Sequence, residues 1–171
     1  MIVKPRVRGF ICTTSHPVGC ARNVAEQIDW VARREPLTDG PKNALVIGAS
    51  GGYGLPSRIA AAFGAGARTL GVSYEKAPSE RKTATAGWYN NRAFEAEAAR
   101  RGLWAKTLDG DAFSDALKRE AIELIRDEMG PIDLIVYSLA SPVRSDPSTR
   151  QPWRTAIKPK GESVRMKTQK V

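Results

Sequence analysis

A doubly wound, parallel α/β sheet is the fold the sequence predicts, and three observations predict it. Two short, uninterrupted apolar runs, "NALVIGAS" (43–50) and "PIDLIVYSLASP" (131–142), read as strands buried on both faces of a parallel sheet. Two further β-prone runs, 69–75 and 103–112, fall between them. Helical segments separate all four, giving the order β-α-β-α-β-α-β with connections long enough for crossovers. Such crossovers are right-handed as a rule, so helices cover both faces.

Taken in order, residues 2–16 contain a short β-prone piece, "VRGFICTT", that ends in a turn. Val24, Ile28 and Val31 recur at helical spacing, so 19–35 predicts an amphipathic helix. "PLTDGPK" is a loop, rich in Pro and Gly, that leads into the first strand of the parallel set. "YGLPSRIAAAFGAGA" follows as a helix ended by glycines, with Pro56 in its first turn, where a missing N–H costs little. The second strand is "TLGVSYE" (69–75), and a loop, "KAPSERKTATAG", precedes a helix near 88–101. The third strand, "LWAKTLDGDA" (103–112), runs into a turn, and Ser114 is placed to cap the helix after it. The fourth strand carries Ile132, Leu134, Ile135 and Val136. No further strand is read after it, so the sheet is expected to be a truncated one, with apolar faces and one hydrogen-bonding edge of that strand open to self-association.

The chain has 171 residues, 42% hydrophobic and 26% charged, values that suit one globular domain with a real core and exclude wholesale disorder. No apolar run is long enough to cross a membrane and the N-terminus has no signal-peptide pattern, so a cytoplasmic protein without a membrane partner is expected. Two cysteines, Cys12 and Cys20, and one histidine, His16, lack metal-ligand spacing, so neither a zinc site nor a disulfide is expected. Both cysteines read as small, partly buried residues, and His16 as a hydrogen-bonded structural residue rather than a general base. The formal charge of +9 is concentrated after residue 142, which suits a solvated basic tail better than a specific nucleic-acid site.

The chemistry is expected in "GASGGYG", four glycines between Gly48 and Gly54 at the junction of the first strand and its helix. A loop there must turn sharply and let bare backbone approach a pyrophosphate, and glycine permits both. The helix start adds free N–H groups for the phosphates. Glu75 closes the second strand, 21 residues after Gly54, where an acid would bond the adenosine ribose and repel a 2′-phosphate, favouring NADH over NADPH. Nearby Lys76, Arg81 and Lys82 would soften that discrimination. Asp111 and Ala112 at the third strand end would lie beside adenine, and Leu139 and Ala140 at the fourth beneath the ribose and nicotinamide. A Rossmann-like, dinucleotide-binding sheet is the expectation, with a tight structural turn as the alternative.

The strings "IVKPRVRGFIC", "GPKNALVIGASGGYGL", "TAGWYNNRAFEAEA", "DGDAFSD" and "DLIVYSLASP" together resemble the N-terminal half of the bacterial trans-2-enoyl-CoA/enoyl-ACP reductases of the FabV-like family. The likeness runs from residue 1 to about 159, giving an expected cofactor domain over 1–159 and a divergent basic tail over 160–171. It implies NADH-dependent reduction of the C2–C3 double bond of enoyl-CoA or enoyl-ACP thioesters in fatty acid biosynthesis. It also implies roles for Gly48, Ala49, Ser50, Gly51, Gly52 and Tyr53 at the pyrophosphate and for Tyr74 and Glu75 at the adenosine ribose. Asp111 and Ala112 would contact adenine, and Leu139 and Ala140 the cofactor further along. The family's catalytic Tyr is followed nine positions later by Lys. Here Tyr53, Tyr74, Tyr89 and Tyr137 are followed at that spacing by Ala62, Thr83, Ala98 and Asp146. No catalytic residue is therefore assigned, and the chain is expected to hold the cofactor half of the enzyme, with a non-catalytic dinucleotide-binding or interaction module as the alternative.

Overall fold

The structure is a computed structural model and describes residues 2–9, 11–141 and 143–154. A compact unit covers Met1–Leu139, and a second begins at Ala140. The expected domain ran to residue 159, further than this compact unit; the basic segment 160–171 lies outside the described residues.

The first unit opens with a small antiparallel hairpin, β1 (Val7–Arg8) and β2 (Ile11–Cys12), and then helix α1 (Pro17–Ala32). His16 caps α1, its Nδ1 accepting from the Gly19 N–H at 3.2 Å, which bears out a structural role for this histidine. Val24 and Ile28 of α1 are buried, one turn apart on one face, and each such burial contributes about 1.5–3 kcal/mol. Of the cysteines, Cys20 is half-buried as expected, whereas Cys12 is exposed, because the two-residue strands of the hairpin have too little surface to cover it.

Four parallel strands form the sheet: β3 (Asn43–Ile47), β4 (Arg68–Ser73), β5 (Ala105–Asp109) and β6 (Leu134–Tyr137). Their spatial order is β5-β4-β3-β6, so the chain steps outward twice and then returns to the other side of β3. That reversal makes the crevice between the carboxyl ends of β3 and β6 the topological switch point. Each strand is shorter than its apolar run. The glycine turn ends β3 at Ile47, and Asp133 holds back the start of β6 by accepting the N–H groups of Lys42 and Asn43 at 2.8 and 3.0 Å.

The helices obey the pleat. Helix α2 (Gly54–Ile59), continued by a π-helical turn at Ala60–Gly64, joins α1 and α3 (Ala86–Arg100) over one face, where Leu55, Ile59, Ala62 and Phe94 meet Val24 and Ile28. Helix α4 (Asp115–Leu124), widening into a π-helical turn at Ile125–Met129, covers the other face through Ala121 and Met129 against Leu70. Ser114 caps α4 as its sequence position predicts, accepting from Leu117 N at 3.3 Å. On β6 the alternation leaves Ile135 and Tyr137 63% and 64% exposed, and among the described residues β6 pairs only with β3.

In the second unit, β7 (Val143–Ser145) and β8 (Pro152–Arg154) form an antiparallel hairpin. Its turn is held by the Asp146 carboxylate, which accepts the N–H groups of Ser148 and Thr149 at 2.8 and 3.0 Å.

Candidate functional site

The loop between β3 and α2 is built by contacts that leave no room for side chains on one side and open space on the other. Gly48 has φ +90°, and a Cβ there would stand 2.3 Å from the Ser138 carbonyl oxygen at the end of β6. A Cβ on Gly54 would stand 1.9 Å from the Gly48 carbonyl oxygen. These two glycines let α2 sit directly on the end of β3 and let β3 and β6 close together. Gly48 and Ala49 anchor the loop base through their N–H groups, both donating to Val72 O, at 2.8 and 3.0 Å.

Gly51 and Gly52 face the other way. A Cβ at either would meet nothing within 4 Å, and Gly52 turns the chain at φ +53°. The N–H groups of Ser50, Gly51, Gly52 and Tyr53 donate to no described acceptor. A row of unpaired donors on bare backbone is what a pyrophosphate needs, so the loop fits that group. A cavity of about 430 Å³ opens beside it, lined in part by Gly51, Gly52, His16, Cys20, Ala86 and Asn90. Burial pushes the Cys20 thiol up from its ordinary value, so it stands there as a neutral, weakly polar wall.

Glu75 is drawn to the same place. Its Oε1 accepts from Ser50 Oγ at 2.5 Å and lies so close to the start of α3 that a Cβ on Gly87 would approach it to 2.1 Å. Asn90, one turn on, donates its side-chain amide to Ser50 O at 3.0 Å. Ser50, Glu75 and the first turn of α3 thus form one half-buried polar cluster next to the glycine loop.

The other expected residues lie further out. Tyr53 and Tyr74 are 86% and 76% exposed, flanking the loop without packing into it. Asp111 is exposed beyond β5; its Oδ1 accepts the Phe113 N–H at 2.9 Å, and half-buried Ala112 lies within that turn. Leu139, half-buried, follows Ser138 at the end of the first unit, and Ala140 is exposed at the start of the second.

Beneath the site runs a polar layer that the sequence reading did not single out. Arg58 is fully buried between α2 and the sheet, donating to Thr69 Oγ1 (3.2 Å), Thr107 Oγ1 (2.8 Å) and the Lys106 carbonyl (2.6 Å), with its guanidinium over the Phe94 ring. Burial pushes Arg58 down to about 9, which still leaves it charged at neutral pH. A Cβ on Gly71 would strike that guanidinium at 2.5 Å, so the small residue in β4 is there for Arg58. Next to it Asn91 donates to Ser73 Oγ at 2.9 Å, and Ser73 in turn bonds Asp109. The signal for this layer was an arginine within an otherwise apolar helix and a glycine within a strand.

A four-stranded parallel sheet in Rossmann order, with a glycine loop at its switch point and an acid at the end of the neighbouring strand, defines the class of nucleotide-binding α/β proteins. Within that class, residues 2–80 match the NAD(P)H-binding domain of trans-2-enoyl-CoA reductase and residues 82–171 match the trans-2-enoyl-CoA reductase catalytic region. Similar proteins include the enoyl-[acyl-carrier-protein] reductase [NADH] of Pseudoalteromonas atlantica, 59% identical over 168 residues, 98% of this chain and 43% of the relative. That of Burkholderia pseudomallei is 59% identical over 167 residues, 98% and 42% of the two chains. The crystal structure of Treponema denticola trans-2-enoyl-CoA reductase in complex with NAD matches with TM-score 0.89 and 53% identity, over 95% of this chain and 42% of that one. The Clostridium acetobutulicum trans-2-enoyl-CoA reductase in complex with NADH matches with TM-score 0.88 and 46% identity, over 92% and 40%. The chain belongs to the trans-2-enoyl-CoA reductase family. It spans about two-fifths of the length of the relatives it matches, and the catalytic-region match runs through the basic segment 160–171.

Proposed function

We propose that this chain binds NADH across the carboxyl ends of β3, β4 and β6 and forms the cofactor-binding part of a reductase of trans-2-enoyl thioesters. The observation that carries the reading is the junction of Ser50, Glu75 and the α3 N-terminus beside four unpaired loop N–H groups. The loop donors hold the pyrophosphate, and Gly51 and Gly52 let it come close. Glu75 accepts the adenosine ribose hydroxyls and repels a 2′-phosphate, with Ser50 and Asn90 holding its side of the loop in place. Asp111 and Ala112 bound the adenine edge, and Leu139 and Ala140 the nicotinamide side. When bound, NADH supplies a hydride for the C2–C3 double bond. Tyr74 shields the ribose from the open side, and Tyr53 the pyrophosphate.

The family and the names of the relatives support enoyl-CoA or enoyl-ACP as substrates, within fatty acid synthesis; a cytoplasmic location belongs to the same proposal. No tyrosine of the 171 residues has the Tyr–Lys spacing, so this chain contributes cofactor binding and no assigned proton donor. Titration with NADH and NADPH, followed by crotonyl-CoA turnover, tests the reading. NADH binding with negligible turnover is expected, and absence of NADH binding sinks it. A second reading, a dinucleotide-binding module that self-associates, is favoured by exposed Ile135 and Tyr137 on edge strand β6. Sedimentation at micromolar concentration separates the two, because a clean monomer rules the second out.

A further inference from the structure

Helix propensity gives no reason for a glycine in the first turn of α3, where alanine serves a helix better. Gly87 is buried, and its backbone needs no positive φ. What keeps a side chain out is the neighbouring strand end. A Cβ on Gly87 would stand 2.1 Å from Glu75 Oε1, 2.4 Å from Glu75 Cδ and 2.6 Å from Ser50 Cβ. The space over Gly87 is therefore the seat of the Glu75 carboxylate.

That seat is fixed from three directions. Lys76, next to Glu75, and Thr85, the N-cap residue of α3, are joined twice: the Thr85 N–H donates to Lys76 O, and the Lys76 N–H to Thr85 Oγ1, both at 3.1 Å. Thr85 thereby commits its side chain to the loop after β4 and gives α3 no cap. The half-buried Glu75 carboxylate lies against that uncapped first turn, where the helix dipole favours a negative charge. From the third direction, Ser50 Oγ donates to Glu75 Oε1, and Asn90 of α3 donates to Ser50 O at 3.0 Å. Of the groups crowding Gly87, the carboxylate ends a flexible side chain, whereas Ser50 Cβ belongs to the tethered loop. A methyl group at 87 thus drives the carboxylate off α3 and away from Ser50 Oγ.

We propose that Gly87 is a positioning residue for dinucleotide choice: its missing side chain seats the Glu75 carboxylate beside the glycine loop, and through that seat it sets the preference for NADH over NADPH. The inference rests on the reading that Glu75 takes the ribose hydroxyls, and adds that α3 shares in the discrimination. A carboxylate repels a 2′-phosphate strongly only while it is held close to it. Released from the seat, it swings into solvent, where water and salt screen the repulsion. Exposed Lys76, its chain neighbour, is then left to attract the phosphate.

The test is a double-mutant cycle on the full chain: Gly87→Ala, Glu75→Ala and the pair, each titrated calorimetrically with NADH and NADPH and each unfolded in urea without nucleotide. Gly87→Ala is expected to shrink the preference for NADH about tenfold, and to change it no further in the Glu75→Ala background, where no carboxylate is left to seat. Its denaturation midpoint is expected to fall in the parent and to fall less in the Glu75→Ala background, because one of the two crowded side chains is gone. On a Ser50→Gly background, where the other crowded Cβ is gone, Gly87→Ala is expected to shift the midpoint less than in the parent. A glycine needed only for packing lowers affinity for both dinucleotides by one factor and leaves their ratio unchanged; that result overturns the proposal. So does an equal change of ratio with and without Glu75. A ratio that responds to Glu75→Ala and not to Gly87→Ala refutes the seat alone. A parent that binds no NADH, or a ratio indifferent to Glu75→Ala, refutes the ribose reading of Glu75 and this proposal with it.

Discussion

Replacing Gly54 with alanine sets two physical effects against each other at one atom. Gly54 is the first residue of α2, and by helix propensity alone the change stabilises a helix by up to about 1 kcal/mol. The added Cβ, however, stands 1.9 Å from Gly48 O and 2.8 Å from Gly48 C, both backbone atoms that cannot rotate away. Reaching the 3.4 Å of ordinary contact requires α2 to retreat from the end of β3. Overpacking against a fixed neighbour costs about 1–3 kcal/mol and occasionally more, so the net effect is a loss of roughly 2 kcal/mol. The retreat also moves the N–H groups of Gly52 and Tyr53, and NADH affinity is expected to fall about tenfold or more. Urea denaturation followed by tryptophan fluorescence, with calorimetric NADH titration, reads both quantities. Gly51→Ala is the control: its Cβ meets nothing within 4 Å, so stability stays within about 0.5 kcal/mol while NADH binding weakens. A Gly54→Ala protein as stable as the parent, or more stable, would refute the reasoning, because propensity would then have outweighed the contact.

Three further outcomes are expected. Glu75→Ala removes the acceptor that bonds Ser50 and, in the proposed site, takes the ribose hydroxyls, so the preference for NADH over NADPH is expected to shrink about tenfold or more; an unchanged ratio from paired titrations contradicts that role. Arg58→Ala leaves Thr69, Thr107 and Lys106 O without their donor and opens a void under Phe94, costing about 3–5 kcal/mol in urea denaturation, whereas Arg58→Met fills the space and recovers most of it; equal losses in the two variants contradict the account. The Asp133 carboxyl is held below its ordinary value by the N–H groups of Lys42 and Asn43, so its stabilisation is full above about pH 4 and is lost as pH falls through the lowered value. Asp133→Asn is therefore less stable than the parent at neutral pH, and the gap in denaturation midpoint narrows on acidification; a constant gap contradicts the assignment.

The sheet was legible because apolar runs at 43–50 and 131–142 admit few other structures, and crossover rules then order the strands. Glu75 was legible for a similar reason, since it lies two residues past the end of the strand adjacent to the glycine turn. Strand ends were less so: Gly48 and Asp133 stop β3 and delay β6 through long-range backbone contacts that hydropathy does not register. The contribution of α3 was hidden because Gly87 and Asn90 acquire meaning only when Ser50 and Glu75 lie against them. Arg58 was hidden for the same reason, its partners being 11 and 49 residues distant in sequence.

The most direct test of the central claim is calorimetric titration of the full chain with NADH and, in parallel, NADPH. The account predicts one NADH site per chain in the micromolar range, with NADPH weaker by about tenfold or more. Equal affinity for the two, or no heat with NADH, would contradict it.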